Sequence, residues 1–166
     1  MAFGARTRLP RQKNERNRYH ADNHEEDVEP FLEHINITST DVDATVAFLQ
    51  TAMPELRIRG GGKGMACKRW VHVGTDSSYL SIEDRGASKK GPHRPYIHPG
   101  LNHIGFVVPD SDALAERMRR AGYQEGNHVL DHPFRKRYYF FDHDENEYEF
   151  VEYLSDDSVE MNDYTR

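Results

Sequence analysis

Glu33 to Leu49 reads EHINITSTDVDATVAFL, and the change of period inside it decides the fold. His34, Asn36 and Thr38 alternate with Ile35 and Ile37, the period-two pattern of a strand with one apolar face. Past Thr40 and Asp41, either of which can cap a helix, Val42, Val46 and Leu49 recur at spacings of four and three. That stripe can fold back onto the apolar side of the strand, and Pro54 marks its end. Glu55 to Arg59, Arg69 to Val73 and Ser78 to Glu83 then read as short strands separated by the Gly-rich breaks 60–64 and 74–77. The order is β-α-β-β-β.

Residues 85–100 (RGASKKGPHRPYIHPG) lack periodicity and read as a linker or long loop. The pattern then returns. Asn102 to Gly122, NHIGFVVPDSDALAERMRRAG, holds a strand with His103 near its start, a helix over Ser111 to Ala121 and Gly122 as its stop. Tyr123 to His128, Arg137 to Phe141 and Glu147 to Leu154 supply three more strands. An ungapped shift of 69 residues takes His34 to His103, Ile35 to Ile104, Asp41 to Asp110, Tyr79 to Tyr148 and Glu83 to Glu152. Two copies of one design account for a constant shift that superposes strand on strand and helix on helix.

Working outward, the expected organisation is an extension over residues 1–30, one domain over 31–154 and an acidic tail over 155–166. Within the domain, the first module covers 31–84, the linker 85–100 and the second module 101–154. The fold class is α+β: two tandem modules form a curled mixed sheet with a central cup and helices outside. The chain has 166 residues, 30% of them charged, and a mean hydropathy of −0.89. No apolar run approaches the ~20 residues of a membrane span. Cys67 is the single cysteine, so no intrachain disulfide forms and a reducing cytoplasm suits the chain.

Net charge is −6, while residues 1–18 carry Arg6, Arg8, Arg11, Lys13, Arg16 and Arg18 against Glu15 alone. The body is therefore more acidic than the whole, and it repels phosphate backbones. Neither nucleic acid nor membrane is an expected partner. The basic extension reads as mobile and solvated, His20 and His24 included. Gly60 to Gly64, GGGKG, lacks the spacing of a phosphate loop and reads as a flexible hairpin or lid.

These stretches, with Tyr138 to Tyr153 (YYFFDHDENEYEFVEY) closing the second half, resemble the vicinal oxygen chelate superfamily. That superfamily includes glyoxalase I, extradiol dioxygenases, epimerases, fosfomycin-resistance enzymes and bleomycin-binding proteins. The most specific segment is Phe141 to Glu149, FDHDENEYE, similar to the family's F-D-P-D-G-N-x-x-E with His143 and Glu145 in place of Pro and Gly. The resemblance implies metal ligands from the first and last strands of each half. Carried over, these positions are His34, Leu80, His103 and Glu149. Leu80 cannot bind a metal, which leaves two imidazoles and a carboxylate, a set suited to Fe, Mn, Zn or Ni. Glu83, three residues beyond Leu80 and of opposite parity, would need a bulge to take its place.

The residues themselves point the same way. His34 shares the polar side of its strand with Asn36 and Thr38, and His103 has the same parity, opposite Ile104 and Phe106. Glu149 sits between Tyr148 and Phe150, where a buried carboxylate without a cation would be costly. His72 and Tyr139 lie in strands expected to line the cup and can orient substrate or act as acid or base.

The resemblance implies a metal-dependent enzyme, dioxygenase-like or a glyoxalase-like lyase or isomerase, whose small oxygenated metabolite chelates the ion. The alternative is a metal-free binding module like the bleomycin-binding proteins. The cup closes within one chain or by exchange between the chains of a homodimer, and the superfamily uses both arrangements.

Overall fold

The computed structural model describes residues 30–86, 95–126 and 131–165. Met1–Phe31 forms one unit and Leu32–Arg166 a second. The N-terminal extension, with His20 and His24, lies outside the described residues apart from residue 30, as do His93 and His128. All that follows concerns the second unit.

Its elements run β1 (His34–Thr38), α1 (Val42–Ala52), β2 (Arg57–Gly62), β3 (Arg69–Gly74), β4 (Tyr79–Asp84), β5 (His103–Val107), α2 (Ser111–Arg120), β6 (Gln124–Glu125), β7 (Arg135–Phe141), β8 (Glu147–Tyr153) and α3 (Ser158–Met161). They build two four-stranded mixed sheets, β1-β4-β3-β2 and β5-β8-β7-β6. In each, the first strand runs parallel to the last and the other pairs are antiparallel. Gly60 to Gly62, expected as a break, continue β2 past an irregularity between Ile58 and Gly60. The acidic tail contains the short helix α3, and Arg135 donates to the carbonyls of Met161 at 3.3 Å and of Asp163, just past it, at 2.8 Å.

Each helix starts where an aspartate satisfies free backbone N–H groups. Asp41 accepts from the amides of Asp43 and Ala44, and Asp110 from that of Ala113. Gly122 closes α2 at φ +83°, with Arg117, Arg119 and Arg120 set against the carbonyl end of the dipole.

The apolar faces merge into one core. Val71, Val73, Leu80 and Ile82 of the first sheet join Ile104, Phe140, Tyr148 and Phe150 of the second, with Phe48, Leu49, Leu114 and Met118 of the helices. Phe48 on α1 packs its ring 4.9 Å from both Tyr123 and Tyr148 of the other half. Both ends of α1 are also tied across. Asp144, in the turn between β7 and β8, accepts from Ser39 Oγ and the Thr40 amide at 2.9 Å each and from the Thr40 hydroxyl. Arg117 of α2 donates to the last carbonyls, Thr51 O and Ala52 O. The helices therefore occupy the side of each sheet opposite the candidate ligands, and the two polar faces turn away from the core they share.

Register corrects one detail of the repeat. His34 pairs with Tyr79 and His103 with Glu147, so with the two histidines equivalent, Tyr79 corresponds to Glu147 and Ser81 to Glu149. His72 faces Ser81 as Tyr139 faces Glu149. The shift of 69 holds through β1 and α1, falls to 67 at β3 and β7, where His72 matches Tyr139, and returns only to 68 in the last strand, because the turn 142–146 is one residue longer than 75–78. Leu80, assigned by the ungapped shift to the fourth ligand position, points into the core at 4% exposure and matches Tyr148. The position belongs to Ser81. Glu83 has the parity of Ser81 and lies on the polar face of a regular strand, with no bulge needed.

Candidate metal centre

The polar face of the second sheet brings two of the expected ligands together. His103 at the start of β5 and Glu149 in the middle of β8 stand with Nε2 and Oε2 3.1 Å apart. The other carboxylate oxygen accepts from Tyr139 Oη at 2.5 Å, and the Tyr139 ring meets the imidazole edge-on at 5.7 Å. Burial, then the hydrogen bond to Glu149, pushes the Tyr139 hydroxyl well above its ordinary range. Behind the imidazole, Tyr96 Oη lies 2.9 Å from His103 Nδ1 and also donates to the buried Glu147 carboxylate. Burial and Glu147 push the Tyr96 hydroxyl up to about 12.

The polar face of the first sheet is built of rings. His34 stacks on Tyr79 at 4.9 Å and 15°, and Tyr79 meets His72 at 4.6 Å. Trp70 lies 4.7 Å from His72, and the Arg59 guanidinium sits 4.4 Å over the Tyr79 ring. Burial first, and the Arg59 charge next, hold the His72 imidazolium below the usual histidine range. His34 Nδ1 lies 2.9 Å from Glu33 Oε2, and a carboxylate only accepts, so Nδ1 carries the proton. Glu83 takes a hydrogen bond from Asn36 at 3.0 Å and pairs with Arg85 at 2.7 Å, and those partners hold its carboxyl below the ordinary range despite partial burial. A cleft of about 400 Å³ opens over Trp70, His72, Ser81, Glu83 and Arg85.

His34 therefore does not join His103 and Glu149 within the described chain. Among the described residues, no group of three His, Cys, Asp or Glu side chains is placed to hold a metal. The pair that does form fits one. Bonds of about 2.1 Å at right angles put neighbouring donor atoms about 3.0 Å apart, close to the separation of Nε2 and Oε2. In the basic cluster 135–137, Lys136 pairs with Asp112 and Arg135 donates to the carbonyls of Met161 and Asp163. Sequence reasoning missed Tyr96, Glu147 and Tyr79. Glu147 shares the parity of Glu149 two residues on and was findable that way, whereas Tyr96 lies in an aperiodic loop that carries no such signal.

The family model described as Glyoxalase/Bleomycin resistance protein/Dioxygenase superfamily matches residues 31–150. A solved glyoxylase/bleomycin resistance protein/dioxygenase domain from Frankia sp. superposes with a TM-score of 0.65 at 19% identity, over 78% of this chain and 96% of that one. A glyoxalase family protein from Bacillus cereus gives 0.61 at 16% identity, over 75% and 94%. The fosfomycin resistance protein FosX from Listeria monocytogenes, solved with Mn(II) and sulfate, gives 0.56 at 20% identity, over 74% and 91%. At these identities the likeness establishes the fold. No curated protein matches the chain significantly.

Proposed function

We propose that this chain, which belongs to the glyoxalase/bleomycin resistance/dioxygenase superfamily, is a metal-dependent enzyme acting on a small oxygenated metabolite. His103 and Glu149 of one chain and His34 of a second copy would hold a divalent ion, Fe, Mn, Zn or Ni. The observation that carries this reading is the pair of His103 Nε2 and Glu149 Oε2 at 3.1 Å. A second copy enters the reading because His34 does not join the pair within the described residues, and a donor from another chain would complete the set. The FosX structure with Mn(II) is a relative of this fold that holds such an ion. The lone Cys67 keeps the reducing cytoplasm as the proposed compartment.

When bound, such an ion would supply Lewis acidity to two neighbouring oxygens of the substrate. The chain's own residues divide the remaining work. Tyr139 keeps its proton at neutral pH and donates it to Glu149, which holds that carboxylate in place. His72 of the copy that supplies His34, its imidazolium disfavoured by burial and Arg59, offers a ring nitrogen as a proton acceptor. Trp70 and Tyr79 pack their rings against it on either side. This assigns proton transfer to His72 and either dioxygenase-like or glyoxalase-like lyase or isomerase chemistry to the site.

The chain of rings from Arg59 through Tyr79 and His72 to Trp70 also favours a second reading, a metal-free module that sequesters a flat ligand. Elemental analysis of tag-free protein separates the two. About one ion per chain, lost in Glu149→Ala and in His103→Ala, supports the enzyme. Iron or manganese directs assays toward dioxygen or thiol transfer, and zinc or nickel toward glyoxalase-like chemistry. No bound metal and no thermal shift with any of the four ions leaves sequestration standing.

A further inference from the structure

We infer that Tyr96, backed by Glu147, is a positioning residue that sets the tautomer and ring orientation of His103. The contacts on the Nδ1 side of the ring carry it. Glu147 is a buried carboxylate that only accepts, so the single phenolic proton of Tyr96 is committed to it. The remaining contact of Tyr96 Oη, 2.9 Å from His103 Nδ1, then has to be accepted from an N–H on the ring. With the proton held at Nδ1, the lone pair of the neutral imidazole lies at Nε2, 3.1 Å from Glu149 Oε2, where two acceptors repel until a cation or a second ring proton comes between them.

The backbone is arranged to hold this chain of contacts. Tyr96 adopts φ +65°, a conformation rare for a residue with a side chain, and its amide is tethered to Asn102 Oδ1 at 2.7 Å. Asn102 is the residue before His103, so the loop is pinned beside the ring it orients. Glu147 pairs directly with His103 in the β5–β8 register, which puts the two side chains next to each other on one face. The first sheet does the same task with other parts. There Glu33 takes the Nδ1 proton of His34, and Tyr79, at the position equivalent to Glu147, stacks on the ring. Both histidines thus present Nε2 outward, each through a different device.

The tautomer stands on these contacts alone. Its consequence for metal affinity rests on His103 being a ligand as proposed above, where outer partners of this kind typically contribute 10–100-fold. Long-range 1H–15N correlation spectra of metal-free full-length protein with 15N-labelled histidine test the first part, with His103 assigned from His103→Ala. They are recorded at a pH where the ring is neutral and in a Glu149→Ala background, in which no carboxylate competes at Nε2. The expected result is an Nδ1–H ring that reverts to Nε2–H when Tyr96→Phe or Glu147→Gln is added. An Nε2–H ring in the parent, or an Nδ1–H ring unmoved by both substitutions, would overturn the inference. Titration of Mn(II) or Zn(II) into protein with Glu149 intact is the second arm, with affinity expected to fall about 10–100-fold in Tyr96→Phe. If the tautomer shifts as stated but the parent protein takes up no ion, the positioning role stands and the metal reading fails.

Discussion

The two halves share a scaffold and differ in what they place on it. At matching positions the first sheet carries Tyr79, Ser81 and His72 where the second carries Glu147, Glu149 and Tyr139. One histidine survives in both, His34 and His103. The second half has become a ligand pair with its hydrogen-bonded support, and the first a wall of rings with a cation above it. Duplication supplies two equivalent faces, and divergence lets one hold charge while the other stacks.

The largest effect is expected where the halves are joined. Phe48 is fully buried against Tyr148 and Tyr123, so Phe48→Ala should cost about 3–5 kcal/mol in chemical denaturation. Both halves should lose stability together in one transition. A variant in which only the first half melts early would show two independent modules. Next comes the asymmetry of the faces. Glu149→Ala should weaken Mn(II) or Zn(II) binding in calorimetry by more than about 100-fold, beyond what an outer-shell partner contributes, whereas Ser81→Ala should leave it within about twofold. Equal losses would mean that the first sheet also supplies a ligand at that position.

The turn that shifts the register provides a smaller test. Burial alone would raise the Asp144 carboxyl, but the hydrogen bonds from Thr40 and Ser39 outweigh it and hold it below its ordinary 3.8. A group lowered on folding stabilises above its unfolded value and loses that contribution as pH falls through the folded one. Stability should therefore drop as the pH falls below about 4. Asp144→Asn should flatten that limb and cost about 1–3 kcal/mol at pH 7. An unchanged acid limb in thermal melts would remove Asp144 from the joint between the halves. The smallest effect lies one residue on. Glu145 adopts φ +66° where the family pattern has Gly, so Glu145→Gly should gain about 0.5–1 kcal/mol. A loss would mean that the side chain contributes more than its backbone strain costs.

Much of this was legible in the chain. His103 and Glu149 could be found because parity places each on the polar side of a strand, and parity does not depend on distant contacts. The helices were legible from the aspartates that cap them and the stripes that follow. Leu80 was misplaced because an ungapped shift cannot see that the second half is two residues shorter before β7 and regains only one of them in the turn before β8. Glu83 was judged by its parity relative to the wrong neighbour. The glycines 60–62 were read as a break because local propensity favours one, while pairing with Trp70 and Val71 and the cross-strand His72 keeps them in β2. No local pattern reports that His34 stands apart from the His103–Glu149 pair, since that depends on how the helices of both halves share a core.

That last feature yields the most direct test. His34→Ala and Glu149→Ala chains are each prepared alone and then co-refolded as an equal mixture, and bound metal is measured per chain. Either variant alone should hold almost none. In mixed dimers, one of the two sites regains His34 from one chain and the His103–Glu149 pair from the other, so the mixture should recover about a quarter of the wild-type metal. A mixture that binds no more than the average of the two variants would contradict a centre assembled between chains.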